Sequence, residues 1–305
     1  MRIGLSGGGS SIERIVEQAQ EAEADGFTSL WYAGAIGGDP FVPMALAGRA
    51  TSTIELGTSV VQTYTRHPVL MAHQALAVAG AIGGGRFTLG IGVSHQPVIE
   101  QSYGLDYGHP ARHMREYLSV LEPLLHGESV SFDGADFRVR ADFRTSKPEH
   151  PVPVLVAALG TSMLDATGRL AQGTITWMAN RRAVDEHVTP LLAKAAGEAG
   201  APAARIVVGL PVAVCSDEHE GRAAAGQQFA MYGTLPNYRR ILDIGGADGP
   251  ADAAIVGDED AVAGEIRALF DAGATDVWAA IFPVGDDRKA SRQRTRALLR
   301  SLAAE

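Results

Sequence analysis

Short runs rich in Val, Ile and Leu alternate along this chain with longer stretches whose apolar residues recur every three or four positions. The short runs are "RIGLS", "SLWYA", "IELGTSVV", "RFTLGIGV", "VPVLVAA", "GTITWM", "RIVVGLPVAV" and "DVWAAIF". They are apolar at successive positions, as parallel strands covered on both faces are. The stretches between them have helical periodicity. The first places Ile12, Ile15, Val16 and Ala19 on one face, with Ser10 and Glu13 at capping-box spacing and Gly26 suited to the C′ position. Further helices are predicted from about Phe41 to Ala50, from Pro68 to Ala81 and from Arg288 to Ala303. After the fourth strand the rhythm breaks. A helix with Met114, Tyr117, Leu118 and Leu121 on one face leads into "ESVSFDGADFRV", which reads as a β-hairpin turning at Asp133-Gly134.

Eight strand–helix units in 305 residues point to an α/β fold of the (β/α)8 TIM-barrel type. It carries an insertion (helix plus β-hairpin) after strand 4 and forms a single domain over residues 1–305. A doubly wound open sheet shares the alternation and is the rival. In a barrel, function gathers where strands end and helices begin. The third strand ends in the polar run "QTYTRHP", which puts Tyr64, Arg66 and His67 at the mouth. Tyr232 and Tyr238 join His95 and Gln96 as further mouth residues.

Composition narrows the classes. The chain is 46% hydrophobic with a formal charge of −9, acid and base being mixed along its length. That suits a soluble globular protein and disfavours nucleic acid, which selects a basic face. No apolar run has the roughly 18 residues of a spanning helix. The N-terminus reaches acidic residues too early for a signal peptide, so the expectation is cytoplasmic. Cys215 is the only cysteine and sits in an apolar run, as a buried small hydrophobe would. His67 and His73 are six apart and do not share a helix face, so no metal is predicted.

Several motifs carry candidate chemistry. In "ALGTSML" a strand ends at Gly160, and Thr161 and Ser162 open a helix; free amides and hydroxyls there suit an anion, or serve as an ordinary cap. "SGGGSS" (6–11) is a weaker nest, and its "GLSGG" matches the nucleophile-elbow pattern at Ser6 without the earlier strands that an elbow requires. "GIGVSH" lacks the third glycine of a dinucleotide fingerprint, and its glycines lie within a strand, where they admit close backbone approach. His95 directly follows that strand, in position for proton transfer. Arg112 and Glu116, four apart, suit a pair across a helix turn. Of Trp31 and Trp177, both near strand ends, one faces a flat ligand and the other packs.

"GTSVVQTYTRHP", "GRFTLGIGVSH", "PARHMREYLSVL" and "VLVAALGTSML" together resemble the luciferase-like flavin and deazaflavin oxidoreductases, nearest to the branch that uses coenzyme F420, an 8-hydroxy-5-deazaflavin. The resemblance implies a (β/α)8 barrel, a homodimer and a non-proline cis peptide at the end of the third strand, by position Ser59–Val60. It implies that Ser59, Val60 and Gln62 lie beside the tricyclic ring, Val93 and Ser94 at its edge, and Gly160, Thr161 and Ser162 at the phosphate. Trp177 is counted with the cofactor-binding residues, and His95 falls where relatives keep an acid or base. Hydride transfer between F420 and a small or medium-sized organic molecule is the implied activity. An FMN-dependent monooxygenase and a non-catalytic deazaflavin-binding barrel are the alternatives. One departure stands out. Many relatives end the second strand with an acid and a histidine, and here Ala33-Gly34 stands in that place, which disfavours sugar-phosphate and secondary-alcohol oxidation.

Overall fold

In the computed structural model, residues 1–9, 11–33, 39–142 and 149–305 are described. The chain begins β1 (Ile3–Gly7), α1 (Ile12–Ala24), β2 (Ser29–Tyr32), α2 (Phe41–Arg49), β3 (Glu55–Thr58), β4 (Val61–Gln62), α3 (Pro68–Ile82) and β5 (Phe87–Gly92). It continues through a π turn (Val98–Ser102), α4 (Pro110–Leu125), the hairpin β6 (Val130–Asp133) and β7 (Arg138–Ala141), then β8 (Val154–Val156), α5 (Thr161–Leu170) and β9 (Gly173–Trp177). A π segment joins α6 (Arg181–Ala183) to α7 (Thr189–Ala199), and β10 (Arg205–Val214), α8 (Glu218–Gln228), α9 (Pro236–Ile244) and α10 (Pro250–Ala253) follow. The chain closes with β11 (Ile255–Gly257), α11 (Glu259–Asp271), β12 (Asp276–Ile281) and α12 (Arg288–Ala303).

The parallel strands run β1-β2-β3-β5-β8-β9, and β9 pairs β10, which pairs β12, which returns to β1. The sheet therefore closes on itself, which excludes the doubly wound alternative. Strands β3 and β4 are two halves of one barrel strand, broken between them; both pair β5. The short β11 pairs the upper end of β10 and had no counterpart in the predicted strands.

Helix α4 packs between α3 and α5 and so takes the fourth place in the outer ring. Between the fourth and fifth barrel strands the hairpin is therefore the addition to the regular pattern, and α4 is not. Glu116 on α4 accepts from the amides of Ala135, Asp136 and Phe137 at 2.9, 2.7 and 3.0 Å, and Arg112 pairs with Asp136 at 2.8 Å. The expected Arg112–Glu116 pair is not made, because the hairpin turn offers each residue a better-matched partner. The N-cap of α1 is Ser11, whose hydroxyl accepts from Arg14 N at 3.2 Å. The expected Ser10 lies outside the described residues. Gly26 has φ +82°, as a residue past a helix end often does.

Inside the barrel Trp31, Leu155, Ile175, Val207 and Trp278 form their own apolar cluster. A Cβ on Gly57 would come within 2.1 Å of the Trp31 ring, and one on Gly209 within 2.0 Å of the Trp278 ring. The two indoles fill space left by the glycines on neighbouring strands. Trp31 is fully buried, with Nε1 donating to Ser29 Oγ at 2.8 Å, so it is the packing tryptophan of the expected pair. Toward the strand starts Arg205 bridges Glu55 and Asp276 with four hydrogen bonds of 2.6–2.9 Å. Burial pulls the Asp276 carboxyl upward, but the Arg205 and Arg2 guanidiniums more than offset this and hold it below the usual range. The plug closes that end of the barrel, leaving the C-terminal end for a ligand.

Candidate functional site

The break in the third barrel strand shapes one wall of the mouth. The Ser59–Val60 peptide bond is cis, at the expected position. Thr58 Oγ1 donates to Gly90 O at 2.7 Å and accepts from Gly90 N at 2.8 Å, fixing the end of β3 onto β5. A Cβ at Gly92 would stand 2.7 Å from Val60 Cγ2, so the bend leans over a strand that must be bare there. The glycines of "GIGVSH" thus admit a neighbouring backbone and side chain, as read from the sequence.

Beyond β5 the backbone turns through Ser94 at φ +61°, and the Tyr107 hydroxyl holds this turn by donating to Ser94 O at 3.1 Å. The His95 carbonyl accepts from Val98 N and Ile99 N, both at 3.0 Å, which starts the following helical turn and fixes the residue that carries the imidazole. The ring lies 5.5 Å from that of Tyr238 on α9. Burial lowers the His95 pKa from its ordinary value, so the imidazole is neutral near pH 7.

Opposite the bend, α5 begins at Gly160 with no side-chain cap. The first amides of a helix have no intrahelical acceptor, and the helix dipole adds partial positive charge there. His187 reaches back to Leu159 O at 2.8 Å and steadies the loop before it. A Cβ at Gly160 would stand 3.5 Å from Arg240 Nη1, so the Arg240 guanidinium overhangs this helix start. Trp177 stacks on Trp278 with centroids 5.1 Å apart and meets the edges of Phe229 and Tyr232.

These parts enclose one cavity of ≈ 490 Å³. Ser59, Val60, Val93, Ser94, His95, Gly160, Thr161, Ser162 and Trp177, expected from the sequence, all line it. Gln62 does not: it sits in the resumed strand opposite Gly92, with its Oε1 buried and unpartnered. Tyr64, Arg66 and His67 are not in the lining either. The Tyr64 ring stacks on His113 at 4.0 Å and its hydroxyl donates to Gly108 O, Arg66 pairs with Asp39 at 2.9 Å, and His67 caps α3. The polar end of the third strand is therefore scaffolding that ties the bend to α3 and α4. Ser6, the elbow candidate, lies outside this cavity, and Cys215 is buried among apolar neighbours as expected. Gly34 of the departure noted above lies outside the described residues.

Tyr107, Asn237, Arg240 and Trp278 also line the cavity and were missed as site residues. Asn237, Tyr238 and Arg240 belong to α9, which follows the seventh strand at a distance in sequence from every motif. Its sequence signal is only an amphipathic turn. Among the described residues no group of three His, Cys, Asp or Glu converges on a metal-sized site, and no helix is long and apolar enough to cross a membrane.

A sequence model of the luciferase-like monooxygenase family matches residues 2–305. The chain belongs to the luciferase-like monooxygenase family. An uncharacterised protein of Mycobacterium tuberculosis is 30% identical over 248 residues, 77% of this chain and 72% of the relative. An F420-dependent glucose-6-phosphate dehydrogenase of Beutenbergia cavernae is 32% identical over 185 residues, 59% of this chain and 54% of the relative. In fold, the coenzyme F420-dependent tetrahydromethanopterin reductase of Methanopyrus kandleri superposes with a TM-score of 0.77 at 21% identity, covering 100% of this chain and 97% of that one. Within the luciferase-like family, then, this chain has relatives named for F420-dependent redox chemistry.

Proposed function

We propose that the protein is a coenzyme F420-dependent oxidoreductase that transfers a hydride between the deazaflavin and a small or medium-sized organic substrate. One observation carries the reading. The bent strand at Ser59–Val60 and the uncapped start of α5 face the same cavity, one offering a flat wall and the other an anion seat.

The lining suits such a cofactor. Ser59 Oγ, Thr176 Oγ1 and Trp278 Nε1 belong to lining residues and are buried without a partner, which costs free energy unless a ligand's polar edge meets them. Among the described residues Arg240 is the only cation of the lining, and it overhangs the helix start. In this reading Val60 and Trp177 bound the ring, Val93 and Ser94 meet its edge, and the amides of Thr161 and Ser162 with Arg240 take the phosphate. The deazaflavin, when bound, supplies a hydride-carrying carbon. The chain supplies orientation and a wall that keeps water from one ring face. His95 is the protein group nearest to acid–base work, neutral and half-buried.

The same reading makes the protein a homodimer. Adjacent helices α2 and α3 expose Val42 (61%), Leu46 (46%) and Leu70 (49%), an apolar face suited to a second copy.

A fluorescence titration of the purified protein with F420 and with FMN tests the function. Saturable F420 binding with weak FMN binding is the expected result. A protein that binds FMN, consumes oxygen in its presence and ignores F420 is instead a flavin monooxygenase.

A further inference from the structure

Among the described residues, only four that line the cavity have titratable or charged side chains: His95, Tyr107, Tyr238 and Arg240. Among these described lining residues there is no carboxylate and no lysine. Two of the four are already committed. The Tyr107 hydroxyl donates to Ser94 O, and Arg240 stands over Gly160 at the phosphate end. His95 and Tyr238 remain, facing each other at 5.5 Å between ring centroids. Neither the imidazole nor the phenol makes a hydrogen bond to another described residue.

From this set we propose that the substrate is an uncharged molecule with a carbon–carbon double bond conjugated to a carbonyl, whose oxygen accepts hydrogen bonds from the Tyr238 hydroxyl and the His95 N–H. The assignment rests on the F420 reading above. Beside His95 and Tyr238 a carboxylate or phosphate on the substrate would lose its hydration with no cation at that place to replace it. A carbonyl oxygen needs only neutral donors. Burial lowers the His95 pKa and raises that of Tyr238, so both groups are uncharged near pH 7.

The chemistry follows from the same two groups. A bound reduced deazaflavin would supply the hydride for the β-carbon and be oxidised in turn. The π pair would pass to the α-carbon and carbonyl oxygen as an enolate held by Tyr238 and His95; a water would give the α-carbon its proton, and the hydroxide left would be neutralised by the proton that the reduced cofactor gives up. Two neutral donors suit a delocalised enolate better than a localised alkoxide, which would need a strong acid beside it. Reduction of the conjugated bond is therefore favoured over reduction of an isolated ketone.

The test compares cyclohex-2-enone with cyclohex-1-ene-1-carboxylate, rings of similar size that differ in charge. Infrared difference spectra of the enone on the protein loaded with oxidised F420 should show its carbonyl stretch lowered. In Tyr238→Phe the stretch should move back toward the free value, with affinity reduced about tenfold. Single turnover of the enone with reduced F420 should yield cyclohexanone and slow about a hundredfold in Tyr238→Phe. His95→Asn, which retains an N–H donor, should keep more of that rate than His95→Phe. F420 binding that survives in the variants shows that they are folded. Tighter binding of the carboxylate, or an unchanged stretch and rate in Tyr238→Phe with F420 binding intact, overturns the substrate assignment alone. Failure of the wild type to bind F420 overturns both readings.

Discussion

Thr58 and Gly90 clasp each other across the third and fourth barrel strands. The threonine hydroxyl makes two hydrogen bonds to the glycine backbone, at 2.7 and 2.8 Å, while its own carbonyl oxygen lies 1.8 Å from where a Cβ on Gly90 would stand. The wall of the cavity depends on this close approach of two backbones.

Gly90→Ala should therefore displace the bend. Overpacking of a tight interior costs up to about 3 kcal/mol, and here the obstacle is backbone, which cannot rotate away. The urea midpoint should fall, and F420 binding should be lost even where the variant remains folded. Thr58→Val should act more gently, by about 1–3 kcal/mol, through the unsatisfied Gly90 amide.

Arg240→Ala should weaken F420 with little effect on stability, since the side chain is exposed and makes no ion pair among the described residues. An exposed charge contributes about 1 kcal/mol, so the loss should be roughly fivefold at low salt and smaller at high salt. A deazaflavin lacking the phosphate tail should bind both proteins alike. Equal losses for both ligands would place Arg240 elsewhere in recognition.

Glu122 gives a pH dependence unrelated to the site. Burial raises its carboxyl from 4.5 to about 7, although Gln172 Nε2 donates to it at 3.3 Å. In the folded chain it stays protonated to about pH 7, whereas unfolded it ionises near 4.5. The folded state binds more protons in that window, so stability is fully present below pH 4.5 and is lost as pH rises to 7. Glu122→Gln should remove this slope and raise stability at pH 8 by about 2–3 kcal/mol. Matching denaturation curves at pH 5 and pH 8 for both proteins measure it.

Val42→Glu combined with Leu46→Glu should leave the fold intact and convert a dimer to a monomer, since both side chains already face outward. Light scattering after size exclusion reports the mass. A wild-type monomer would remove the dimer from the account.

The barrel was legible because its strands are bare apolar runs, and the alternation with helices survives without tertiary information. The helix start at Gly160 was legible for a similar reason: strand, glycine, hydroxyl residues and helix are contiguous. What failed depended on partners distant in sequence. Tyr64, Arg66 and His67 follow a barrel strand and read as mouth residues, yet Gly108, Asp39 and the start of α3 claim them. Arg112 was read against Glu116, its helical neighbour, although the hairpin held better partners for both. Tyr238 was read as a mouth residue and does line the cavity, whereas Asn237 and Arg240 on the same helix gave no signal because α9 returns to the cavity only through the closed barrel. The tryptophans were undecidable in sequence because the deciding feature is the bare Gly57 beside Trp31.

The central claim is that a deazaflavin ring lies against Val60 with its phosphate at the start of α5. A crystal structure of the protein soaked with F420 tests it most directly. The account predicts ring density between the Ser59–Val60 bend and Trp177, with phosphate oxygens within hydrogen-bonding distance of the Thr161 and Ser162 amides. Cofactor density elsewhere on the molecule, with this cavity empty, would contradict it.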